Sequence, residues 1–104
     1  MIEYKILKEI ESNPSLTQRS LAVSLGVSLG KINHILADLV RKGVVVSEKT
    51  RNQSGALRWH YYLTPDGIQE KIRIARGYLS RRKIEFSVLK NEIAELEEEV
   101  KFGE

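Results

Sequence analysis

The side chains able to do chemistry in this chain are few. There is no cysteine, which removes thiolate nucleophiles, disulfides and cysteine-ligated metal sites. The two histidines, His34 and His60, stand far apart and give neither a metal pair nor an acid–base pair. No Gly-rich phosphate loop and no nucleophile beside a base occurs, so neither catalysis nor a cofactor is expected. What remains is three clusters of small polar and cationic residues: Thr17, Gln18 and Arg19; Ser28, Gly30, Lys31, Asn33 and His34; and Lys49, Arg51 and Arg58. Groups of this kind suit phosphate oxygens and the edges of bases.

The charge distribution agrees with that chemistry. The net charge is only +3, but the cations are concentrated between residues 15 and 90, where Asp38, Glu48, Asp66, Glu70 and Glu85 are outnumbered. The end is acidic, with Glu92, Glu95, Glu97, Glu98, Glu99 and Glu104 against Lys101. A basic body implies a polyanionic partner, and an acidic end implies something basic facing it.

The elements that must position these clusters follow from apolar spacing and from stop signals. Ile2, Ile6, Leu7 and Ile10 predict a first helix over about 2–12, broken by Asn13-Pro14-Ser15. Thr17 is a cap for a second helix carrying Leu21, Ala22 and Leu25, which Gly26 stops. After Val27, Ser28 caps a third helix with Ile32, Ile35, Leu36, Leu39 and Val40 in one stripe, ending at Gly43. A short helix, a glycine turn and a longer amphipathic helix have the layout of a helix-turn-helix. Two β-branched and aromatic runs follow, 44–49 and 57–63, flanking a polar tip over 50–56, and they predict a hairpin. The expected fold is therefore mainly helical, α+β: a three-helix core, a β-hairpin wing and a long terminal helix.

On a helical wheel the face of the third helix opposite its apolar stripe collects Gly30, Asn33, His34, Ala37, Asp38 and Arg41, with Lys31 at its edge. A DNA major groove admits one helix, read mostly by the helix's first residues. Asn33 suits an adenine edge, Lys31 a guanine edge or a phosphate, and Gly30 a close backbone approach. Arg51, among small polar neighbours at the wing tip, suits a narrow minor groove, with Lys49 and Arg58 on flanking phosphates. Thr17, Gln18 and Arg19 stand where free helix amides attract anions.

The segments Leu16-Thr17-Gln18-Arg19-Ser20-Leu21-Ala22, Val27-Ser28-Leu29-Gly30-Lys31-Ile32-Asn33, Leu39-Val40-Arg41-Lys42-Gly43-Val44-Val45 and Tyr62-Leu63-Thr64-Pro65-Asp66-Gly67-Ile68 together resemble the MarR family of bacterial transcription regulators. They are most similar to its small exopolysaccharide-associated subgroup. The resemblance implies a winged-helix DNA-binding regulator of bacterial or archaeal transcription, with Arg51 at the minor groove, although the tip lacks the Asp-Arg-Arg run of many members.

Thr64-Pro65 starts a further helix that no later proline interrupts. Ile72, Leu79, Phe86, Ile93 and Val100 recur every seven residues, with Ile68, Ala75, Leu89 and Leu96 at the intervening seam positions and Arg82 out of pattern. A helix over 65–101 would be about 55 Å long, too long for one small domain to cover, which implies a homodimeric coiled coil. In a parallel pair Lys71 would face Arg76 and Glu92 would face Glu97, two repulsive contacts, against one attractive contact between Glu85 and Lys90. An antiparallel pair sets the basic stretch against the partner's acidic one and is favoured. The expected division is a DNA-binding domain over 1–64 and a dimerisation helix over 65–104. The competing reading is a winged-helix interaction module that recruits a different protein through its coil. No secretion signal or membrane span is expected, which fits a cytoplasmic protein, and no polar cluster in the sequence marks an effector pocket.

Overall fold

The computed structural model describes residues 1–13 and 15–103. Of the expected break at 13–15, Pro14 lies outside the described residues. The elements run α1 (Ile2–Ser12), α2 (Gln18–Leu25), α3 (Leu29–Arg41), β1 (Val45–Arg51), β2 (Leu57–Leu63) and α4 (Pro65–Gly103). The chain forms two compact units, Met1–Arg73 and Ile74 onward. The first turns of α4 thus belong to the first unit, beyond residue 64, where the helix begins.

Local hydrogen bonds set the helix limits in the first unit. At α2, Thr17 Oγ1 accepts from the Ser20 amide at 2.9 Å, and Ser20 Oγ accepts from the Thr17 amide at 3.0 Å. This reciprocal pair satisfies donors that the helix itself leaves free. At α3, Ser28 Oγ accepts from the Lys31 amide at 3.1 Å. Gly26 closes α2 at φ 67°, a left-handed conformation that costs a glycine nothing. The core gathers Ile6, Leu7 and Ile10 from α1, Leu16, Leu21 and Ala22 from the α2 region, Ile32, Leu36 and Leu39 from α3, and Val44 and Val45 at the start of the wing.

The wing is an antiparallel pair in which Val45 faces Leu63, Ser47 faces Tyr61 and Arg51 faces Leu57. The strands reach further than the sequence reading expected, leaving only residues 52–56 as the turn. The reason is Asn52: its Oδ1 accepts from the Ser54 amide, the Ser54 hydroxyl and the Ala56 amide. Cross-strand pairing therefore continues to Arg51. His60 is half-buried and stacks on Tyr62 with centroids 6.5 Å apart.

One joint ties α3, the wing and α4 together. The Thr64 hydroxyl donates to the Gly43 carbonyl at 2.7 Å and accepts from the Gly67 amide at 2.9 Å, while the Thr64 amide donates to the Val44 carbonyl at 3.1 Å. Gly67 is buried over that same carbonyl; a Cβ there would lie 2.0 Å from Val44 O. The neighbouring Glu11–Lys71 ion pair links α1 to the same part of α4.

The second unit is the remainder of α4. Leu79, Phe86, Leu89, Ile93, Leu96 and Val100 are all exposed along its seam. Arg82 pairs with Glu85 at 3.0 Å and lies 5.2 Å from the centroid of the Tyr78 ring. Ile84 and Val88, also exposed, sit one turn apart on the opposite face, an apolar spot that the heptad reading did not include.

Candidate nucleic-acid interface

The first unit brings the first polar cluster, Asn33 of the second and Arg58 of the third to one open groove, which Ser28, Gly30, Lys31, His34, Lys49 and Arg51 do not line. Thr17, Gln18 and Arg19 come from the start of α2, Leu29 and Asn33 from α3, and Leu57, Arg58, Trp59 and Tyr61 from β2, around a volume of about 510 Å³. An adjoining cleft of about 390 Å³ shares Gln18, Asn33, Trp59 and Tyr61 and adds Leu36, Ala37, Val40 and Ser47. Among the described residues no carboxylate lines either. A cleft between α3 and the wing, mainly apolar with Gln18, Asn33, Ser47 and Tyr61 on its lining, was not visible in the sequence.

The candidate side chains are differently committed. Arg19, Lys31, His34 and Arg58 are exposed and make no side-chain hydrogen bond or ion pair among the described residues. Gly30 has open space around it. Thr17 and Ser28 spend an acceptor on their helix caps and keep a hydroxyl proton to donate. Arg51 lies at the end of β1, its Nη1 donating to the Gly55 carbonyl at 2.9 Å. Its guanidinium is thus held at the turn with further N–H groups free. Lys49 Nζ rests 5.5 Å from the centroid of the Trp59 ring, a cation–π contact that restrains both side chains.

Asn33 is not free. Its Nδ2 donates to Gln18 Oε1 at 3.2 Å, and Gln18 Nε2 donates to the Tyr61 hydroxyl at 2.8 Å. Gln18, expected among the phosphate-facing residues, instead lies half-buried between α3 and the wing. Tyr61 and Trp59, which line both groove and cleft, were not among the sequence candidates; an aromatic run in a strand reads as ordinary wing packing.

On the outer side of α3, Asp38 pairs with Arg41 and with Lys42 Nζ at 2.9 Å. The hydrogen bond from Lys42, then that from Arg41, holds the Asp38 carboxyl below its usual value, and Asp38 in turn raises Lys42. The pairing is therefore present above the ordinary carboxylate range and lost only as pH falls through the lowered value. Two cations on this face are occupied at neutral pH.

α2 and α3 meet at 114°, within the range of a helix-turn-helix, and the hairpin follows directly after α3 beside the groove. The fold is a winged helix-turn-helix. Residues 2–46 match the family of winged helix-turn-helix DNA-binding domains. The chain is 31% identical over 84 residues to a Thauera aromatica protein named as a transcriptional regulatory protein for the hcr operon. That match takes in 81% of this chain and 49% of the relative, so the chain spans about half the relative's length. Among solved structures, a Thermoplasma acidophilum protein named as a transcriptional regulator superposes with TM-score 0.68 at 26% identity, covering 86% of this chain and 90% of its own. FabT of Streptococcus pneumoniae, solved in complex with DNA, superposes with TM-score 0.58 at 22% identity over 98% of this chain and 76% of its own. At that identity the second likeness speaks for the winged-helix fold. Among the described residues no group of His, Asp and Glu gathers to hold a metal ion, and no single helix is long and apolar enough to cross a membrane.

Proposed function

We propose that the chain is a cytoplasmic, homodimeric, sequence-specific DNA-binding regulator of transcription, of the MarR type. The observation that carries this reading is the groove on the winged helix-turn-helix: α2, α3 and β2 converge there with Arg19 and Arg58 uncommitted and no carboxylate among the lining residues. α3 enters the major groove with Lys31, Asn33 and His34 toward the bases, while Ser28 and Gly30 let the backbone approach. Thr17, Arg19, Lys49 and Arg58 contact phosphates, and Arg51 sits at the minor groove. The exposed seam of α4 binds a second copy, antiparallel, so that basic and acidic stretches oppose one another. Two-fold symmetry then requires a near-palindromic site.

The test is selection of a random duplex pool by the purified protein across a salt series. Expected is an inverted repeat with half-sites about one helical turn or a multiple apart, and affinity falling steeply with salt. Failure to bind even at low salt sinks the reading and turns attention to a protein partner for the coil.

Two predictions separate positioning from reading. Arg51→Ala is expected to weaken binding to all sequences or to relax an A·T preference beside the site, whereas Asn33→Ala flattens discrimination within it. Equal effects of both variants on selected and random DNA would contradict this division. Asp38→Asn removes an acid from α3 and releases Arg41 and Lys42. It is expected to tighten binding to random duplex several-fold at low salt, with a salt slope steeper by about one phosphate contact. An unchanged slope would mean that this end of α3 stays clear of the backbone.

A further inference from the structure

Asn33, Gln18 and Tyr61 form a chain of two hydrogen bonds across three elements: α3 to α2 at 3.2 Å and α2 to β2 at 2.8 Å. Asn33 is exposed, whereas Gln18 and Tyr61 are half-buried. A primary amide has one oxygen and two N–H groups pointing in different directions. Asn33 spends one N–H on Gln18, and the remaining N–H and the oxygen then form a side-by-side donor and acceptor.

That pair has a single good match in the major groove. Adenine presents N7 as an acceptor beside the N6 donor, whereas guanine presents two acceptors, N7 and O6. A freely rotating amide can offer either end to a base. One whose nitrogen is tied to Gln18 offers its donor and acceptor in fixed order. The order depends on Gln18 keeping its oxygen toward Asn33, and it does so here while its nitrogen donates to the Tyr61 hydroxyl. A tyrosine on the wing thus braces the Gln18 amide that holds the Asn33 nitrogen.

We propose that Gln18 and Tyr61 are positioning residues for base recognition, locking Asn33 in the orientation that selects adenine in each half-site. This rests on the DNA-binding reading above. It also assigns the wing a part in sequence discrimination separate from its contacts with the backbone.

The experiment is random-pool selection with wild type, Asn33→Ala, Tyr61→Phe and Gln18→Met, together with binding to random duplex and thermal melting of each protein. Tyr61→Phe keeps the ring and its packing and removes only the hydroxyl; Gln18→Met keeps the length and removes both hydrogen-bonding groups. Expected for wild type is an adenine preference on the order of tenfold at one position per half-site, the size of a bidentate contact. Asn33→Ala abolishes it. Tyr61→Phe and Gln18→Met each reduce it to about twofold or threefold at that position alone, with the preferences at the other positions unchanged. The two changes together do no more than either singly, because they break one chain. If wild type and both variants select adenine equally while Asn33→Ala does not, the positioning role is overturned and the DNA-binding reading stands. If wild type selects no sequence, both fall together. A loss spread evenly over all positions would mark Tyr61 as structural and overturn the proposal.

Discussion

Gly67→Ala is expected to destabilise the first unit by about 2–4 kcal/mol, a large share of what a small domain has to lose. The added Cβ would stand 2.0 Å from the Val44 carbonyl oxygen. Because the obstacle is backbone, no rotamer change relieves it, and the start of α4 has to move away from the strand. That movement breaks the bond from the Thr64 amide to the same carbonyl and loosens the Thr64 hydroxyl from Gly43, each worth about 1 kcal/mol. The gain of roughly 1 kcal/mol in helix propensity on replacing glycine by alanine offsets part of this. Gly77 supplies the control: it lies in the same helix with nothing within 4 Å of a Cβ, so Gly77→Ala should stabilise by up to about 1 kcal/mol. Urea unfolding of the two variants decides the matter; a Gly67→Ala protein as stable as wild type would refute the packing of this joint.

Leu89→Asp combined with Leu96→Asp is expected to convert the proposed dimer into a monomer. Both leucines are about half-exposed on a helix whose seam has no cover of its own. Two buried carboxylates per chain would cost more than the apolar contacts return. Affinity for a selected inverted repeat should then fall on the order of a hundredfold or more, since the two half-sites would be bound independently. Affinity for an isolated half-site should barely change, because the first unit carries its own core. Sedimentation velocity reads the mass, and a paired titration reads the two affinities. A variant that remains dimeric would place the dimer contact elsewhere. Orientation has its own readout, since the chain has no cysteine: Val100→Cys forms an intersubunit disulfide on oxidation in a parallel pair and does not in an antiparallel one.

The helix boundaries were legible because their causes are local. Thr17, Ser28 and Thr64 cap within three residues of themselves, and Gly26 stops α2 through its own backbone angle. The wing was legible in kind but not in extent, since the pairing of Arg51 with Leu57 depends on how Asn52 folds the turn between them. The lining of the groove was legible in part: Thr17, Gln18, Arg19, Asn33 and Arg58 stood among the candidates, and Trp59 and Tyr61 did not. Gln18 reads as one more polar residue at a helix start; its place between Asn33 and Tyr61 depends on partners far away in the chain, and no periodicity carries that information. Gly67 likewise reads as an ordinary early helix glycine until the Val44 carbonyl is brought beneath it.

The chain has one tryptophan, and it stands half-exposed on the wall shared by the groove and the cleft, with the Lys49 ammonium over its ring. Its indole therefore makes the protein its own optical probe. Selective excitation near the red edge of protein absorption reports this wall alone, undiluted by signal from the core or the long helix. A shift in emission on adding duplex would mark engagement of the wing, and its time course would give the association rate of unlabelled protein with unlabelled DNA.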